Sequence, residues 1–185
     1  MNVILVAHFF GEYRCADGLA QMSAVIDSFL AGRPRQNDLP PRSASECETA
    51  FFGFAEAEIP AGVDPAWWEG YPDNSLLVTI NFKNGYGGLA WMVNAGRAEQ
   101  INKKTNSDMA DWPWVSDSQS PPDFDPEILI DPEGPSYHDI RNALPGSQVR
   151  AAIEEFCRTG TGERPTCIQW VKGQETGERI VDSVA

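Results

Sequence analysis

The sequence predicts an α+β fold in a single domain, with an antiparallel β-sheet and helices packed against it. The run SLLVTINF at 75–82 alternates apolar and polar residues and leads through Asn84-Gly85 into a second β-prone run at 89–93, which is typical of an antiparallel hairpin. Apolar residues recur at helical spacing within 19–30 and within 149–156, so each helix has one face for a core. At 185 residues, 42% of them hydrophobic, the chain is long enough to bury one substantial core.

The amino-terminal part predicts a strand, a helix and a long connection. Residues 3–10 form a short β-prone run. Asp17-Gly18 offers a helix start, and the helical spacing ends at Gly32. Residues 33–48 are polar and proline-rich, as expected of a surface connection. The phenylalanines within 49–59 favour a strand, although the Ala/Glu tail of this run also suits a helix.

An aromatic cluster follows within residues 62–73. Trp67, Trp68 and Tyr71 lie there between turn residues. They form either a contact patch or a lid over the core, and the lid is favoured because large aromatic side chains are mostly at least partly buried.

The glycines after the first hairpin strand allow a second interpretation, a phosphate-binding loop. Such a loop is followed by a helix whose amino terminus faces the phosphate. Here a strand follows Gly87-Gly88, so the sequence favours the hairpin.

Residues 105–140 are acidic, aromatic and proline-rich. The segment holds nine Asp or Glu residues, six prolines and no Lys or Arg. Trp112, Trp114, Phe124 and Tyr137 lie between the acids. Such a segment is either a solvated loop or a surface that contacts a basic protein. A calcium loop at 123–127 is disfavoured, because the glycine and the distal glutamate of an EF-hand are missing.

Net charge limits the partners of this protein. With 14 Lys plus Arg against 27 Asp plus Glu, the formal charge is −13. This disfavours direct binding to nucleic acid or to an anionic membrane, and it suits a basic protein partner. The four cysteines are scattered without a CxxC pair, the start lacks a signal-peptide pattern and no apolar run reaches transmembrane length. We therefore expect a cytoplasmic protein with no metal and no cofactor.

No catalytic motif is present in the sequence. It contains no nucleophile elbow and no H-E-x-x-H pattern. His8 lies in an apolar strand, and His138 stands beside Asp139 without a nucleophile nearby in sequence. We therefore predict no catalytic residues and no enzymatic activity.

The closing unit, residues 147–171, predicts a helix, a glycine-rich turn and a strand. Ser147 is the expected N-cap, Gly160 fits the helix end, and Pro165 cannot continue the helix. We expect the apolar stripe of this helix and Trp170 to pack in the core, and Cys157 to be a buried thiol.

This unit closely resembles a known signature. The run VRAAIEEF, then Thr159-Gly160, then ERPTCIQW ending at Trp170, is similar to the terminal pattern of the first numbered family of bacterial polymorphic-toxin immunity proteins. Two further stretches look similar to parts of that family. The strand–turn–strand SLLVTINFKNGYGGLAWM resembles its central hairpin, and the helix at 17–32 resembles its leading helix in pattern.

The resemblance implies an α+β domain that binds and neutralises a cognate toxin domain, without catalysis, inside the producing cell. Family members are associated with deaminase-fold toxins that act on nucleic acid, and such a toxin needs a basic substrate channel. The predicted mechanism is occlusion of that cleft. The alternative is a small-molecule-binding or enzymatic domain with an aromatic-lined pocket.

We place the domain at residues 1–173, with loop-rich segments at 33–73 and 105–140 and a flexible tail at 174–185. The oligomeric state is not predicted. The residues predicted to bind the partner combine carboxylates with tryptophans: Asp108, Asp111, Trp112, Trp114, Asp117, Asp123, Asp125 and Glu127.

Overall fold

An antiparallel β-sheet is the framework of the molecule. The computed structural model describes residues 3–32, 46–57, 59–60, 63, 70–131 and 135–180. The strands are β1 (Ile4–Phe9), β2 (Glu12–Ala16), β3 (Cys47–Ala55), β4 (Asn74–Asn81), β5 (Tyr86–Val93), β6 (Trp114–Asp117), β7 (Leu129–Asp131), β8 (Ser136–Tyr137), β9 (Leu144–Pro145) and β10 (Gln169–Lys172). The helices are α1 (Leu19–Leu30), α2 (Ala95–Thr105) and α3 (Gly146–Thr159).

Within the described residues, eight of these strands form one sheet. Its order is β10-β6-β5-β4-β3-β1-β2, and β9 pairs with one end of β5. Every pairing in it is antiparallel. β7 and β8 form a separate two-stranded hairpin. The predicted α+β class with an antiparallel sheet is confirmed.

The main core lies between the sheet and helices α1 and α3. The apolar stripe of α3, including Val149, Ile153 and Phe156, is fully buried. The Phe156 ring lies 5.2 Å from that of Phe54 on β3. Burial of each such side chain contributes about 1.5–3 kcal/mol of transfer free energy. This stripe therefore fixes α3 on the sheet, as its helical spacing predicts.

The central hairpin, β4–β5, forms at the predicted place but with a different turn. Residues 82–85 connect the strands, and the Gly85 amide donates to the Asn81 carbonyl. Gly85 has a φ of +74°, whereas Asn84 does not take a positive φ. The connection is therefore longer than the two-residue turn in which both central residues need positive φ.

Helix α2 and the strands β2, β6, β7, β8 and β9 were not predicted, and one predicted cap is wrong. β2 and the polar helix α2 give weak apolar periodicity, since α2 buries only Ala98 and Ile101. α3 begins at Gly146 with Pro145 as its N-cap residue and no side-chain cap. Ser147 therefore lies inside the helix. Gly160 does end α3, with a φ of +61°, and Cys157 is buried as predicted, which raises the pKa of its thiol to about 12.

The opposite face of the sheet is covered near its centre by two later segments. The β7–β8 hairpin lies on it, and the Ile130 carbonyl accepts a hydrogen bond from Thr49 of β3 at 3.3 Å. Residues 173–180 fold back beside β10, where Gly173 pairs with Arg179 and the Ile180 amide donates to the Lys172 carbonyl at 3.0 Å.

Several predictions fall outside the described residues. These are most of the connection at 33–48, the aromatic pair Trp67 and Trp68, and residues 181–185. The domain limits 1–173 and the flexible tail stay predictions, and the structure places residues 174–180 against the sheet.

The Glu155 side chain stabilises the turn between α3 and β10 by hydrogen bonds. Its carboxylate accepts hydrogen bonds from the Thr166 amide at 2.9 Å, the Thr166 hydroxyl at 2.7 Å and the Cys167 amide at 2.8 Å. Desolvation alone would raise the pKa of Glu155, but these hydrogen bonds outweigh it and lower the pKa to about 2. The ionised form therefore stabilises the fold.

We expect Glu155→Gln to lower the free energy of unfolding at pH 7 by about 1–2 kcal/mol, because bonds to a charged acceptor are lost. The depressed pKa gives a stabilisation that is complete above about pH 4.5 and is lost as the pH falls towards 2. Urea denaturation from pH 7 to pH 3 should therefore show the difference between variant and wild type shrinking. Glu154→Gln is the matched control, since Glu154 joins an exposed pair with Arg150 that is worth under about 1 kcal/mol. Equal effects of the two substitutions would contradict this role for Glu155.

Candidate protein-binding surface

Seven of the eight residues predicted to bind the partner fall into two groups at opposite ends of β5. We call Asp108, Asp111, Trp112 and Trp114 the α2 surface, because they adjoin that helix. We call Asp123, Asp125 and Glu127 the turn surface, because they adjoin the β4–β5 turn. Asp117 lies between the two groups, at the end of β6.

Strand register sets the separation of the two surfaces. Trp114 of β6 pairs with Trp91 near the carboxyl end of β5. At the other end, the Phe124 ring packs edge-on against that of Tyr86, 5.6 Å away. The five-residue offset between Tyr86 and Trp91 corresponds to about 17 Å along a strand. A single partner can span that distance, since a standard interface covers about 800 Å² on each side.

Asn102 of α2 positions the α2 surface. Its side-chain amide donates to the Asp111 carboxylate at 2.6 Å, and its side-chain oxygen accepts from the Ala110 amide at 2.8 Å. The N-cap residue of the helix is Asn94, whose side chain accepts from the Arg97 amide at 2.8 Å. Helix α2 was not predicted from the sequence, although this N-cap, with Ala98 and Ile101 at i, i+3 spacing, is a signal for it.

Trp112 is the exposed aromatic residue of the α2 surface. Its side chain is 40% exposed, and the Lys172 ammonium lies 4.9 Å from the ring centroid. The same ammonium lies 3.8 Å from the Asp108 carboxylate. Both contacts are weak at an exposed site, so the indole is available to a partner at small cost.

Trp114 has a different environment from Trp112. Its indole N–H donates to the Met109 carbonyl at 2.7 Å, and the guanidinium of Arg164 stacks 4.1 Å from its ring centroid. The side chain is half-buried against the core. Trp114 therefore packs against the core and fixes the Met109 backbone next to the exposed part of the α2 surface.

Asp117 is engaged within the protein. Its carboxylate forms an ion pair with Arg179, whose side chain is only 11% exposed. Arg179 also donates to the Asn142 side-chain oxygen at 2.7 Å and to the Arg141 carbonyl. Because burial makes this ion pair hard to replace by water, Asp117 holds residues 173–180 on the sheet.

The turn surface is shaped by backbone contacts. The Pro126 carbonyl accepts from the Asn81 and Asn84 side chains, each at 2.9 Å. The Asp125 carboxylate accepts from the Glu127 amide at 2.9 Å, and Glu127 takes a φ of +48°. The carboxylates of this surface point into a solvated region, where all three residues are exposed.

Charge on the two surfaces is largely uncompensated. Ion pairs at 4 Å or less engage Asp108 and Asp117. Within the described part of the chain, no basic group lies that close to Asp111, Asp123, Asp125 or Glu127. These carboxylates therefore contribute directly to a negative local potential.

A cleft and a cavity lie on opposite sides of α2. One is an open cleft of about 770 Å³, lined by Val93, Ala98, Glu99 and Asp111 among others. The other is a cavity of about 460 Å³ on the far side of the helix, lined by Trp91, Met109, Arg164 and Trp170 among others. The second has an aromatic lining, to which the rings of Trp91 and Trp170 contribute.

Among the described residues, His138 is the buried histidine. Over the described ranges, no cluster of three or more potential metal ligands occurs. His138 is buried between Gly88 and Gly177, with its ring 3.4 Å from the Asn142 amide. Burial lowers the pKa of His138 to about 4, so it is neutral at pH 7 and fills space.

An α+β domain with an exposed acidic and aromatic surface has the features of a protein-binding domain. The pattern that defines the family "Immunity protein Imm1" matches residues 63–172, more than half of the chain. The chain belongs to this family. No curated protein sequence and no solved structure matches it.

Family membership defines the role in general terms. The protein is an immunity protein, which binds a cognate toxin protein to protect against it, and membership indicates a non-enzymatic role. No helix among the described residues is long and apolar enough to cross a membrane.

Burial of neutral His138 predicts a loss of stability in mild acid. The pKa is lowered from 6.5 to about 4. Between these pH values His138 is therefore protonated in the unfolded chain and neutral in the folded one. Stability is therefore fully present above about pH 6.5 and declines as the pH falls towards 4, by about 2 kcal/mol between pH 7 and pH 5.

Urea denaturation at pH 7 and pH 5 checks this expectation. His138→Asn should reduce the difference between the two pH values, whatever its cost at pH 7. His8→Asn, the matched control, leaves His138 in place and should retain the wild-type difference. An unchanged difference in His138→Asn would show that other groups cause the acid sensitivity.

Proposed function

We propose that the cognate toxin is a deaminase-fold enzyme that modifies nucleic acid, and that this protein neutralises it by occluding its basic active cleft. The support is chemical complementarity. A cleft that binds a phosphate backbone carries Lys and Arg, and a deaminase must also admit an extruded or single-stranded base. A protein with a formal charge of −13 that presents an aromatic side chain among carboxylates offers a match for both features.

The observation that carries the proposal is the α2 surface. Trp112 is exposed and directly follows Asp111, which has no basic partner within the described ranges. In interfaces, a central aromatic residue commonly supplies the buried anchor, while rim charges set the association rate and its salt dependence. We assign the anchor to Trp112 and the rim to Asp108, Asp111 and the turn surface.

Trp114 and Asp117 have supporting roles in this proposal. Trp114 positions Trp112 through the Met109 contact, and Asp117 holds Arg179 and thereby residues 173–180. The protein acts in the cytoplasm of the producing cell, without cofactor or catalysis, and contacts the toxin and not its nucleic acid.

The direct test is co-expression with the carboxyl-terminal domain of the protein encoded next to this one. Expression of a toxic neighbour alone should stop growth, and co-expression with this protein should restore it. Purified toxin domain should deaminate single-stranded or double-stranded nucleic acid, and an equimolar amount of this protein should abolish that activity. Growth arrest that co-expression fails to relieve would contradict the immunity role towards that neighbour, and rescue from a toxin without deaminase activity would contradict the assigned target class.

Charge reversal distinguishes the two surfaces. Asp108→Lys/Asp111→Lys should slow toxin association by about ten-fold or more and weaken its dependence on salt. Asp123→Lys/Asp125→Lys should have a smaller effect of the same kind, because the turn surface lies further from the anchor.

Asp17→Lys/Glu56→Lys is the matched control for both. Asp17 and Glu56 are exposed carboxylates outside the acidic segment, and reversing them changes the net charge equally. Stopped-flow association at 50 and 300 mM salt measures the effect. If all three double variants behaved alike, net charge and not a particular surface would govern recognition.

A further inference from the structure

Arg164 is a partly buried cation without an acidic partner in a strongly acidic protein. It lines the cavity of about 460 Å³ between α2 and residues 162–170, here called the Arg164 cavity. No carboxylate among the described residues lies within ion-pair distance of it. The adjacent carboxylate, Glu163, is bound instead by Lys104 at 3.4 Å.

Aromatic rings surround the guanidinium of Arg164. Its central carbon lies 4.1 Å from the Trp114 ring centroid, 6.0 Å from that of Trp91 and 5.9 Å from that of Trp170. These cation–π contacts compensate part of its lost hydration. They leave its N–H groups largely unused, because a ring face accepts the charge and not the directed hydrogen bonds.

The hydrogen-bonding capacity of this guanidinium is unsatisfied. Nη2 faces the Met109 sulfur at 3.6 Å, which is a weak acceptor. Nη1 is closed off from solvent and has no hydrogen-bond partner. Burial lowers the pKa of Arg164, yet an arginine stays protonated in proteins. The guanidinium therefore keeps unused hydrogen-bonding capacity of the kind that a carboxylate satisfies.

The ring positions around this guanidinium are fixed. The three indole N–H groups all donate to backbone carbonyls: Trp91 to Gly162 at 3.0 Å, Trp114 to Met109 at 2.7 Å and Trp170 to Pro165 at 2.7 Å. A ligand that enters the cavity therefore meets a preorganised site, which lowers the ordering cost of binding.

We propose that the Arg164 cavity receives an Asp or Glu side chain of the cognate toxin. The cavity shares Met109 with the short helix that carries the α2 surface, so one partner can occupy both. Its apolar lining, including Ile101 and Trp170, suits the methylene stem of an acidic side chain. This inference rests on the proposed toxin-binding function.

Electrostatics gives such a contact a specific use. A surface with this net charge attracts basic toxin groups in many orientations and repels toxin carboxylates almost everywhere. Arg164 is a place where a carboxylate is accepted, so its capture selects one orientation of the toxin. Discrimination of this kind combines one attractive contact with repulsion of the alternatives.

The test is a double-mutant cycle with the toxin domain. On this protein the variants are Arg164→Gln, which removes the charge, and Arg164→Lys, which keeps the charge without the guanidinium. Arg158→Gln, on the exposed end of α3, removes the same charge elsewhere. On the toxin, surface Asp and Glu residues are changed singly to Asn and Gln. Dissociation constants are measured by calorimetry, and urea denaturation reports whether each variant is folded.

We expect Arg164→Gln to raise the dissociation constant at least about 30-fold, as loss of one partner of a desolvated charge pair does. Arg164→Lys should raise it about ten-fold, and Arg158→Gln less than about three-fold. One toxin carboxylate should show a similar loss that is not additive with Arg164→Gln. A merely structural arginine would weaken every toxin variant by the same factor.

Three outcomes would overturn the inference. The first is a toxin carboxylate scan with no residue coupled to Arg164 while wild-type binding is intact. The second is binding of free N-acetylglutamate, detected by NMR of the indole N–H groups, without such coupling, which would assign the cavity to a small molecule. The third is an unchanged affinity of a folded Arg164→Gln. If Arg164→Gln does not fold, Arg164→Lys and the toxin variants still decide the matter. Absence of wild-type binding would instead contradict the proposed function itself.

Discussion

The hydrogen bond from the buried Trp91 indole to the Gly162 carbonyl connects the central strand β5 to the turn that follows α3. Trp91 lies in the central strand β5 and is fully buried, so its N–H must find a partner inside the protein. Gly162 supplies the acceptor at 3.0 Å. It does so with a φ of +70°, at a place where a Cβ would lie 2.4 Å from the Asn74 side chain. Only glycine fits both conditions.

This contact explains why the turn after α3 is ordered around the sheet. Asn74 in turn binds the Phe54 amide and carbonyl at 2.9 and 3.0 Å, so the turn is linked to β3 as well as to β5. Glu155 closes the same turn from the other side. The rings of Trp91, Trp114 and Trp170 are consequently held around Arg164, and the short helix that presents Trp112 is built on that platform.

Local sequence patterns predicted the parts of the fold that depend on local chemistry. The α3 stripe, the glycine at its end and the β4–β5 strands follow from helical spacing, the need for positive φ and alternation. α2 was missed because it buries only Ala98 and Ile101, so its apolar periodicity is weak. Ser147 was assigned as the N-cap on residue type alone, whereas the chain path through β9 starts α3 earlier, at Gly146.

The sequence delimits the candidate site as a segment and does not resolve it into surfaces. Composition identified residues 105–140, since acids and tryptophans occur there without Lys or Arg. It could not separate Trp112 from Trp114, which stand two residues apart and differ in burial because of Met109 and Arg164. Nor could it show that Asp117 is paired with Arg179, because that contact joins residues far apart in the chain.

Residues 147–171 were expected to seal the core and to leave partner binding to the acidic segment. The expected core packing is confirmed, since the apolar stripe of α3 is buried and Trp170 packs against the core. Sealing alone does not account for Arg164, because a core needs no unpaired cation and a buried charge costs free energy unless something compensates it. The neighbouring carboxylates do not compensate it: Glu155 binds the turn and Glu163 pairs with Lys104. A group supplied from outside would complete this environment, and the unit that seals the core would then also contact the toxin.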